Sequence, residues 1–548
     1  MVSETALLPG PEIVSPKCPT EVGNRSRPGP SSGRELAVSI GRNTLFGMIA
    51  RVAQVGSRLV TIPIVIAHLG LGGYGIWSII MTIAAYTRFG VAGVKSAFQK
   101  YVAEATGNGD FETASKLLST GCAGLIILST ISIPIALFAG ALARAAGVPP
   151  EFLAAAAKSI AMLALIIALS NIAGVYEAII MGGHRIDLVR NLTTFCTVAE
   201  AIAIVICLHL GYGLFAMAIV MSASELGYFL CCYIIAKRIV PEVRISRVFV
   251  TGSVVGELVR FAGSYQLVNI LEVLYASILP ITILRAFGAN ASGVYALATR
   301  VVSSALMLWE PFLLPILSGG AMVYASGSQE EMQRLIHKSF KLTLGICLFP
   351  LAFIAVFGPT MIFAWTGQSD VSLPVVLHFV CLAGLFGVFA ALGMVLYRAS
   401  GHALFDNVRQ MLRIVVLLSI LVFARKLSLY EVLAGLAIAE CIGSTVMILA
   451  VARTFHRFHP KDLLPDALRL STATGCILLA GIGVSWLHFP SISNARLSAI
   501  IELGAVALGC LVMAWPALWL TKSVTRAERN ALIHVILPQR LRSNQAYS

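Results

Sequence analysis

Residues 62–75 read IPIVIAHLGLGGYG, and residues 279–295 read LPITILRAFGANASGVY. Both stretches place a proline inside an apolar segment and follow it with a glycine-containing turn and a tyrosine. A proline within a helix removes one backbone hydrogen bond, which favours a bend. The two stretches therefore predict two bent helices, each followed by a turn into another helix.

These two stretches belong to a repeat that extends through most of the chain. Gly109 and Gly327 are 218 positions apart, and the segment MGGH at 181–184 has a counterpart SGH at 400–402. Apolar segments align with one another easily, but here the polar landmarks of the loops keep the same spacing. The sequence therefore predicts a duplicated unit.

The composition places this duplicated unit in a membrane. Of 548 residues, 58% are hydrophobic and only 12% are charged, and the mean hydropathy is +0.87. Soluble domains are about 45–50% apolar and about 25% charged. Because a spanning helix needs about 20 apolar residues, we predict an all-α polytopic membrane protein with about 14 spans, at 45–68, 74–94, 118–143, 153–179, 190–211, 212–236, 259–284, 293–317, 341–365, 371–397, 409–427, 430–452, 467–489 and 497–520.

The repeat length and the basic residues predict how these helices are organised. A repeat of 218 residues corresponds to six helices, so both copies enter the membrane in the same direction and form two parallel six-helix repeats. Lys and Arg concentrate on the side that holds both termini, which are therefore expected to be cytoplasmic. The predicted units are a disordered cytoplasmic leader (1–42), an N-lobe (43–258), a C-lobe (259–460), two further helices (461–520) and a cytoplasmic tail (521–548).

Charged and polar residues inside the apolar spans are the candidates for function. Thirteen such charges facing lipid would each cost about 3 kcal/mol, so most must face a wet interior, pair, or reach the membrane edge. Lys158, Glu177, Arg413 and Glu502 lie near predicted helix ends and are expected to extend to the surface. Guanidinium groups suit phosphate because their forked donors match two oxygens. The predicted pyrophosphate- and glycan-binding residues are Arg51, Gln54, Arg58, Arg88, Arg300 and Asn269.

Two alternatives stay open for these residues. The arginines either bind a substrate or pair with Glu200 and Glu225 to fasten helices. Burial raises the pKa of a carboxyl group towards physiological pH, so an intramembrane glutamate is suited to coupling transport to proton entry. Glu272 is the first candidate for this role, ahead of Glu225 and Glu440, and each is alternatively an interhelical partner.

Signatures of other functions are missing from the sequence. It contains no P-loop, no Gly-x-Ser-x-Gly motif and no metal-ligand spacing. We therefore expect no enzymatic activity and no cofactor or metal, with a proton or sodium gradient as the energy source. The net charge of +14 follows largely from membrane topology and requires no nucleic-acid partner.

The chain resembles the O-antigen and exopolysaccharide flippases of the multidrug/oligosaccharidyl-lipid/polysaccharide exporter superfamily. The resemblance rests on residues 43–68, LGLGGYGIW at 69–77, RFGV at 88–91, AFQKY at 97–101, LPI at 279–281, GVYA at 293–296 and RV at 300–301. It covers about residues 40–520 through loose motifs. Members often carry an acidic residue where this chain has Arg88, and the difference makes the expected cavity more cationic.

This resemblance implies a V-shaped bundle of two lobes around a central cavity, plus two extra helices. It implies a bacterial inner-membrane flippase for undecaprenyl-pyrophosphate-linked oligosaccharides, working beside polysaccharide polymerase and export machinery. The alternatives are a multidrug or organic-cation antiporter of the same superfamily, and a membrane glycosyltransferase, polymerase or assembly factor. An arginine-lined cavity favours the flippase, whereas an acidic, aromatic cavity favours the antiporter.

Overall fold

The computed structural model describes residues 33–88, 109–182, 185–243, 245–250, 252–400, 405–423, 428–455, 458–487 and 494–523, together with Val102 and Ala105. The side chains of residues 33–52 and 252–266 lie outside this description. The described chain is helical and contains no strand. Its helices are α1 (Gly33–Ala84), α2 (Phe111–Ser129), α3 (Ser132–Leu137), α4 (Ala139–Ala145), α5 (Pro150–Gly182), α6 (Ile186–His209), α7 (Leu214–Ile239), α8 (Gly252–Leu306), α9 (Glu310–Ser326), α10 (Gln329–Thr366), α11 (Leu373–Ala399), α12 (Phe405–Phe423), α13 (Leu429–Thr454), α14 (Leu464–Ser485) and α15 (Ala495–Leu520).

The prediction of an all-α polytopic membrane protein is confirmed. Among the described residues, 11 helices are long and apolar enough to cross a membrane. Two of these helices, α1 and α8, each cover two predicted spans. Each one bends sharply at a glycine with positive φ, α1 at Gly70 and α8 at Gly288, and so consists of two helical segments. The helix α12 carries three charged residues and accounts for a further predicted span.

The backbone repeats in parallel with the sequence. Six of the seven described glycines with positive φ occur in pairs, at Gly70 and Gly288, at Gly109 and Gly327, and at 147 and 367. Within each pair the two residues are 218 to 220 positions apart. Only glycine adopts this left-handed conformation without a steric cost. The same turns therefore recur in both halves, as two parallel six-helix repeats require.

Each half packs as a lobe. In the first lobe α5 runs along α7 and α1 along α6, and in the second lobe α11 packs against α10 and α13. The helices α14 and α15 pack on each other and on α10, through a core that includes Phe357, Ile477 and Val506. The first helix begins at Gly33, inside the predicted leader, whereas residues 1–32 and 524–548 lie outside the described residues.

The two lobes meet where two glycines face each other. A Cβ atom on Gly75 would lie 2.5 Å from the carbonyl oxygen of Ala289 and 2.6 Å from the backbone nitrogen of Gly293. A Cβ atom on Gly293 would overlap the carbonyl oxygen of Leu71. We call this contact the glycine crossing. Backbones of α1 and α8 touch there only because both positions lack side chains.

Two predicted spans are interrupted. The predicted span 118–143 is divided among α2, α3 and α4 near Pro134, and the span 293–317 is broken between α8 and α9. Pro134 has no N–H group to continue a helical hydrogen-bond ladder. At the second break, a proline occupies the first turn of α9, where a missing N–H group is tolerated. Both breaks are therefore consistent with the missing N–H groups of these prolines. The apolar composition of each segment had instead suggested one continuous helix.

Candidate functional site

A cavity of about 640 Å³ lies between the lobes. It is enclosed by α1, α6 and α7 of the first lobe and by the second half of α8. We call it the interlobe cavity. Its polar and aromatic lining consists of Ser57, Arg58, Thr61, Tyr74, Trp77, Ser78, Thr197, Glu200, Thr299, Arg300 and Ser303. Both repeats thus contribute to one site.

Two arginines from opposite lobes line this cavity. Arg58 precedes Gly70 by 12 residues and Arg300 follows Gly288 by 12 residues, so each lies about 18 Å along its helix from the glycine turn. Both guanidinium groups interact electrostatically with Tyr74. The Nε atom of Arg300 is buried and has no hydrogen-bond partner. The cavity is therefore lined by two cationic side chains, one from each lobe.

A second cavity of about 460 Å³ lies within the first lobe, and we call it the acidic cavity. It is lined by Glu177, Glu200, Glu225 and Arg88, with hydroxyl groups of several Ser and Thr residues between them. Glu200 also lines the interlobe cavity, so the two spaces adjoin. The acidic cavity holds three carboxyl groups against one guanidinium group.

Hydrogen bonds fix most of the charges of the acidic cavity. Arg88 lies 3.6 Å from a carboxylate oxygen of Glu225, which also accepts a hydrogen bond from the hydroxyl of Ser170. The hydroxyl of Tyr228 donates to Glu177 over 2.9 Å. Glu225 is therefore held between a cation and a hydroxyl donor.

The predicted site residues do not all come together. Arg58 and Arg300 share the interlobe cavity, and Arg88 lies in the acidic cavity with Glu225. Among the remaining predictions, Gln54 and Asn269 are half-buried and Glu272 is exposed, and these three line neither cavity. The side chain of Arg51 lies outside the described residues, and Glu440 lies elsewhere in the C-lobe.

Glu440 is buried in an ion pair with Arg413. The guanidinium carbon of Arg413 lies 3.8 Å from the ring centre of Tyr275, and its Nη1 atom donates to Gln410 over 3.0 Å. The expectation that Arg413 extends to the membrane surface is therefore wrong. Its helix packs against both α8 and α13, which turns the charged face of α12 into the lobe.

The same expectation is wrong for Glu177, which is buried and accepts the hydrogen bond from Tyr228. Lys158 is exposed and Glu502 is half-buried, so neither of these two residues contradicts the expectation that its side chain reaches the membrane surface. Proximity to a helix end does not reveal which way a side chain faces. For Glu177, the packing of the neighbouring helices determines that the side chain faces the protein interior.

A second ion cluster adjoins this pair in the C-lobe. Asp406 lies 3.3 Å from Arg398 and 3.1 Å from Arg409, and both Asp406 and Arg409 are buried. A Cβ atom on Gly443 would lie 2.8 Å from Cγ of Arg413, so that position must be small. The spacing of Asp406 and Arg409, at i and i+3, was the available signal for this cluster.

We expect Glu440→Ala to destabilise the protein by about 3–5 kcal/mol, because it leaves the buried guanidinium of Arg413 without its partner. The double variant Glu440→Leu with Arg413→Leu is expected to recover most of that loss. Thermal unfolding in detergent measures both effects. The matched control is Glu112→Ala, which breaks the exposed pair with Lys116 and should cost less than about 1 kcal/mol. Equal melting temperatures for Glu440→Ala and the control would contradict this role.

Several cavity residues were not predicted from the sequence. Thr61 lies three residues after Arg58 and four after Ser57, so helical spacing was an available signal for it. Tyr74 and Trp77 are also three residues apart and line the interlobe cavity together. Thr299 and Ser303, at the sides of Arg300, complete a polar rim.

The fold is similar to that of known transporters in overall backbone arrangement. No family model and no curated protein sequence matches the chain. An inward-facing multidrug resistance MATE family transporter of the MOP superfamily superposes with a TM-score of 0.61 at 16% identity, covering 74% of this chain and 98% of that chain. An outward-facing one gives 0.56 at 18% identity, covering 76% and 95%.

A MOP superfamily transporter from Pyrococcus furiosus is also similar, with a TM-score of 0.55 at 17% identity, and the match covers 76% of this chain and 95% of that one. Its binding pocket is described as having reverse polarity, which suggested a different function for it. At these identities the comparisons establish the fold. The chain thus has the two-lobed fold of MATE family transporters.

Proposed function

We propose that the protein is a flippase that moves an undecaprenyl-pyrophosphate-linked oligosaccharide from the cytoplasmic to the periplasmic leaflet of a bacterial inner membrane. The lobes rock about the glycine crossing and expose the interlobe cavity to either side in turn. The observation that carries the proposal is the pair formed by Arg58 and Arg300, which belong to opposite lobes and line one cavity at similar depths.

Pyrophosphate is the chemical group that such a pair suits best. Each guanidinium group can bind two phosphate oxygens in parallel, and neither loses its charge at physiological pH. The buried Nε donor of Arg300 has no partner among the described residues, and it gains a hydrogen bond if the side chain turns towards an anion in the cavity. Trp77 and Tyr74 also line the cavity, and aromatic side chains are suited to packing against sugar units. The isoprenoid chain remains in the lipid at the gap between the lobes.

The test is transport in liposomes that contain the purified protein and a fluorescent lipid-linked oligosaccharide. Flipping is measured as the fraction of label that a membrane-impermeant quencher reaches, and a flippase leaves the mass of the lipid unchanged. A shortened or elongated glycan would instead support a glycosyltransferase or polymerase. A flipping rate equal to that of protein-free liposomes would refute the proposal.

Coupling is proposed to occur at Glu225, the coupling candidate that lies in a cavity. Glu225 lies 3.6 Å from Arg88 and accepts a hydrogen bond from Ser170, so a change in its charge would alter both contacts. We expect Glu225→Gln to abolish stimulation of flipping by an imposed proton gradient, while some gradient-independent flipping remains. Glu502→Gln is the matched control, because Glu502 lines neither cavity.

The pH dependence of the rate, compared between the two variants, is the measurement. Unchanged stimulation in Glu225→Gln would exclude Glu225 from coupling. Stimulation by sodium at constant pH would identify sodium as the coupling ion.

The acidic cavity favours a second candidate function, an antiporter of organic cations. Three carboxyl groups against one guanidinium group attract a cation, and the similar solved structures include multidrug transporters. The same liposomes discriminate between the two, because a cationic dye would then exchange for protons and the lipid-linked sugar would not move. The positive lining of the interlobe cavity favours the flippase over this antiporter.

A further inference from the structure

A proline in α1 leaves one backbone carbonyl without its usual partner. Pro63 has no N–H group, so the carbonyl oxygen of Leu59, four residues earlier, receives no hydrogen bond from its own helix. Leu59 as a whole residue is 51% exposed. Within a bilayer an unpaired carbonyl is unfavourable, because lipid offers no donor.

An indole from the other lobe supplies the missing donor. Nε1 of Trp365 donates to the carbonyl oxygen of Leu59 over 2.7 Å. Trp365 lies in the last turn of α10, in the C-lobe. Leu59 directly follows Arg58, the cavity residue proposed to bind pyrophosphate. The bond therefore ties the segment that carries Arg58 to the opposite lobe.

An arginine of the appended helix pair holds Trp365 in turn. Nη2 of Arg496, in the first turn of α15, donates to the carbonyl oxygen of Trp365 over 2.8 Å. The side chain of Asn494 caps the same turn and accepts from the backbone nitrogen of Arg496 over 3.0 Å. Gly367, two residues after the tryptophan, turns with positive φ directly against this guanidinium group.

The first repeat has the same arrangement without the indole. Arg285 donates to the carbonyl oxygen of Ala145, two residues before Gly147, over 3.3 Å. Trp365 is likewise two residues before Gly367, so alanine stands where the second repeat has tryptophan. An arginine thus donates to the corresponding turn of each repeat, with Arg285 coming from α8 of the C-lobe, and the described first-repeat turn has alanine where the second repeat has the indole.

We infer that Trp365 and Arg496 are positioning residues that set the orientation of Arg58, and that the helix pair α14–α15 acts on the interlobe cavity through them. This inference rests on the proposed function, in which Arg58 binds the substrate. The indole acts on Arg58 through the backbone of α1. It does not line the interlobe cavity.

A double-mutant cycle tests the bond itself. Trp365→Phe keeps an aromatic ring but removes the donor, and we expect flipping to fall roughly fivefold, as for the loss of one hydrogen bond. Pro63→Ala restores an N–H group to the helix and gives Leu59 a partner within α1. In that background Trp365→Phe is expected to change flipping less than about twofold. An equal loss in both backgrounds would overturn the role of the Leu59 bond.

A structural readout separates this inference from the proposed function. Ser57 lines the interlobe cavity beside Arg58, and Ser57→Cys in a cysteine-free variant reports its exposure through reaction with a hydrophilic thiol reagent. Trp365→Phe and Arg496→Ala are each expected to change that labelling rate severalfold, and the double variant no further. Arg496→Lys, which retains a donor, should lie closer to the wild type.

Unchanged labelling in both variants would overturn the inference, whatever happens to transport. Changed labelling, together with flipping that is insensitive to Arg58→Ala, would leave the positioning contact in place and count against the proposed function. If Pro63→Ala alone abolishes flipping, the double-mutant cycle of Trp365→Phe and Pro63→Ala is completed with the labelling rates of Ser57→Cys in place of flipping rates.

Discussion

Replacing Arg300 by alanine is expected to lower the flipping rate by a factor on the order of ten to a hundred, and Arg58→Ala should have a similar effect. Each removes charge-assisted hydrogen bonds to the pyrophosphate, worth about 1.5–3 kcal/mol. Arg300→Lys keeps the charge but loses the forked donors, so it should lie between the wild type and alanine. The measurement is the initial rate of quencher accessibility in the liposomes described above.

A matched control removes an arginine elsewhere. Arg334 is largely exposed and pairs with Glu330 four residues earlier, outside both cavities. Arg334→Ala should leave the flipping rate within about twofold of the wild type. Because Arg58 and Arg300 act on one ligand, the double variant is expected to lose less than the product of the two single losses. A normal rate in Arg58→Ala and Arg300→Ala alike would remove both from the substrate site.

The second large effect is expected at the glycine crossing. Gly293→Val places a branched side chain where even a single carbon atom would overlap the carbonyl oxygen of Leu71. The helices α1 and α8 must then move apart, which is costlier than ordinary overpacking at about 1–3 kcal/mol, because backbone atoms cannot rotate away. We expect flipping to fall to the level of protein-free liposomes, with a longer distance between spin labels on the two lobes.

Gly227→Val provides the comparison for this variant. Gly227 lies in α7, and a Cβ atom there would meet nothing within 4 Å. The Gly227→Val substitution makes the same change in helix propensity and side-chain volume as Gly293→Val, but without a steric conflict. Wild-type flipping in Gly293→Val, or equal losses in the two variants, would mean that the crossing does not control the approach of the lobes.

Much of the fold could be predicted because the membrane imposes it. Apolar length, the proline-and-glycine landmarks and the repeat spacing together predicted the helices, and each predicted span overlaps at least one helix of the described residues. The interruptions near Pro134 and before α9 were missed. Apolar composition reports lipid contact or burial, and it does not distinguish one long helix from two short ones.

The site was harder to predict, because function depends on how each helix is rotated about its axis. Asn269 and Glu272 do lie three residues apart on one helix, yet neither lines the interlobe cavity or the acidic cavity. Helical spacing groups residues on a face, but only the packing of α8 against its neighbours decides where that face points. Arg58 and Arg300 come from different repeats, and only the contact between lobes brings them together.

Burial of charge was misjudged for the same reason. Position along a span suggested that Arg413 reaches the surface, whereas Tyr275 of α8 and Glu440 of α13 enclose it. These partners lie 138 and 27 residues away in the chain. A local pattern cannot reveal partners at such separations.

The glycine crossing also bears on how a two-lobed chain arises. Gly75 touches the backbone of Gly293, and a Cβ atom on Gly72 would lie 2.9 Å from the side chain of Asn290, so in each case a residue meets the position 218 further on. Because the two halves repeat with this same spacing of 218 residues, Gly75 and Gly72 each face the equivalent position of the other repeat. In a half-length ancestor the identical surface would be self-complementary, as an isologous twofold dimer requires. Gene fusion could then join two subunits already docked, with no new interface to evolve.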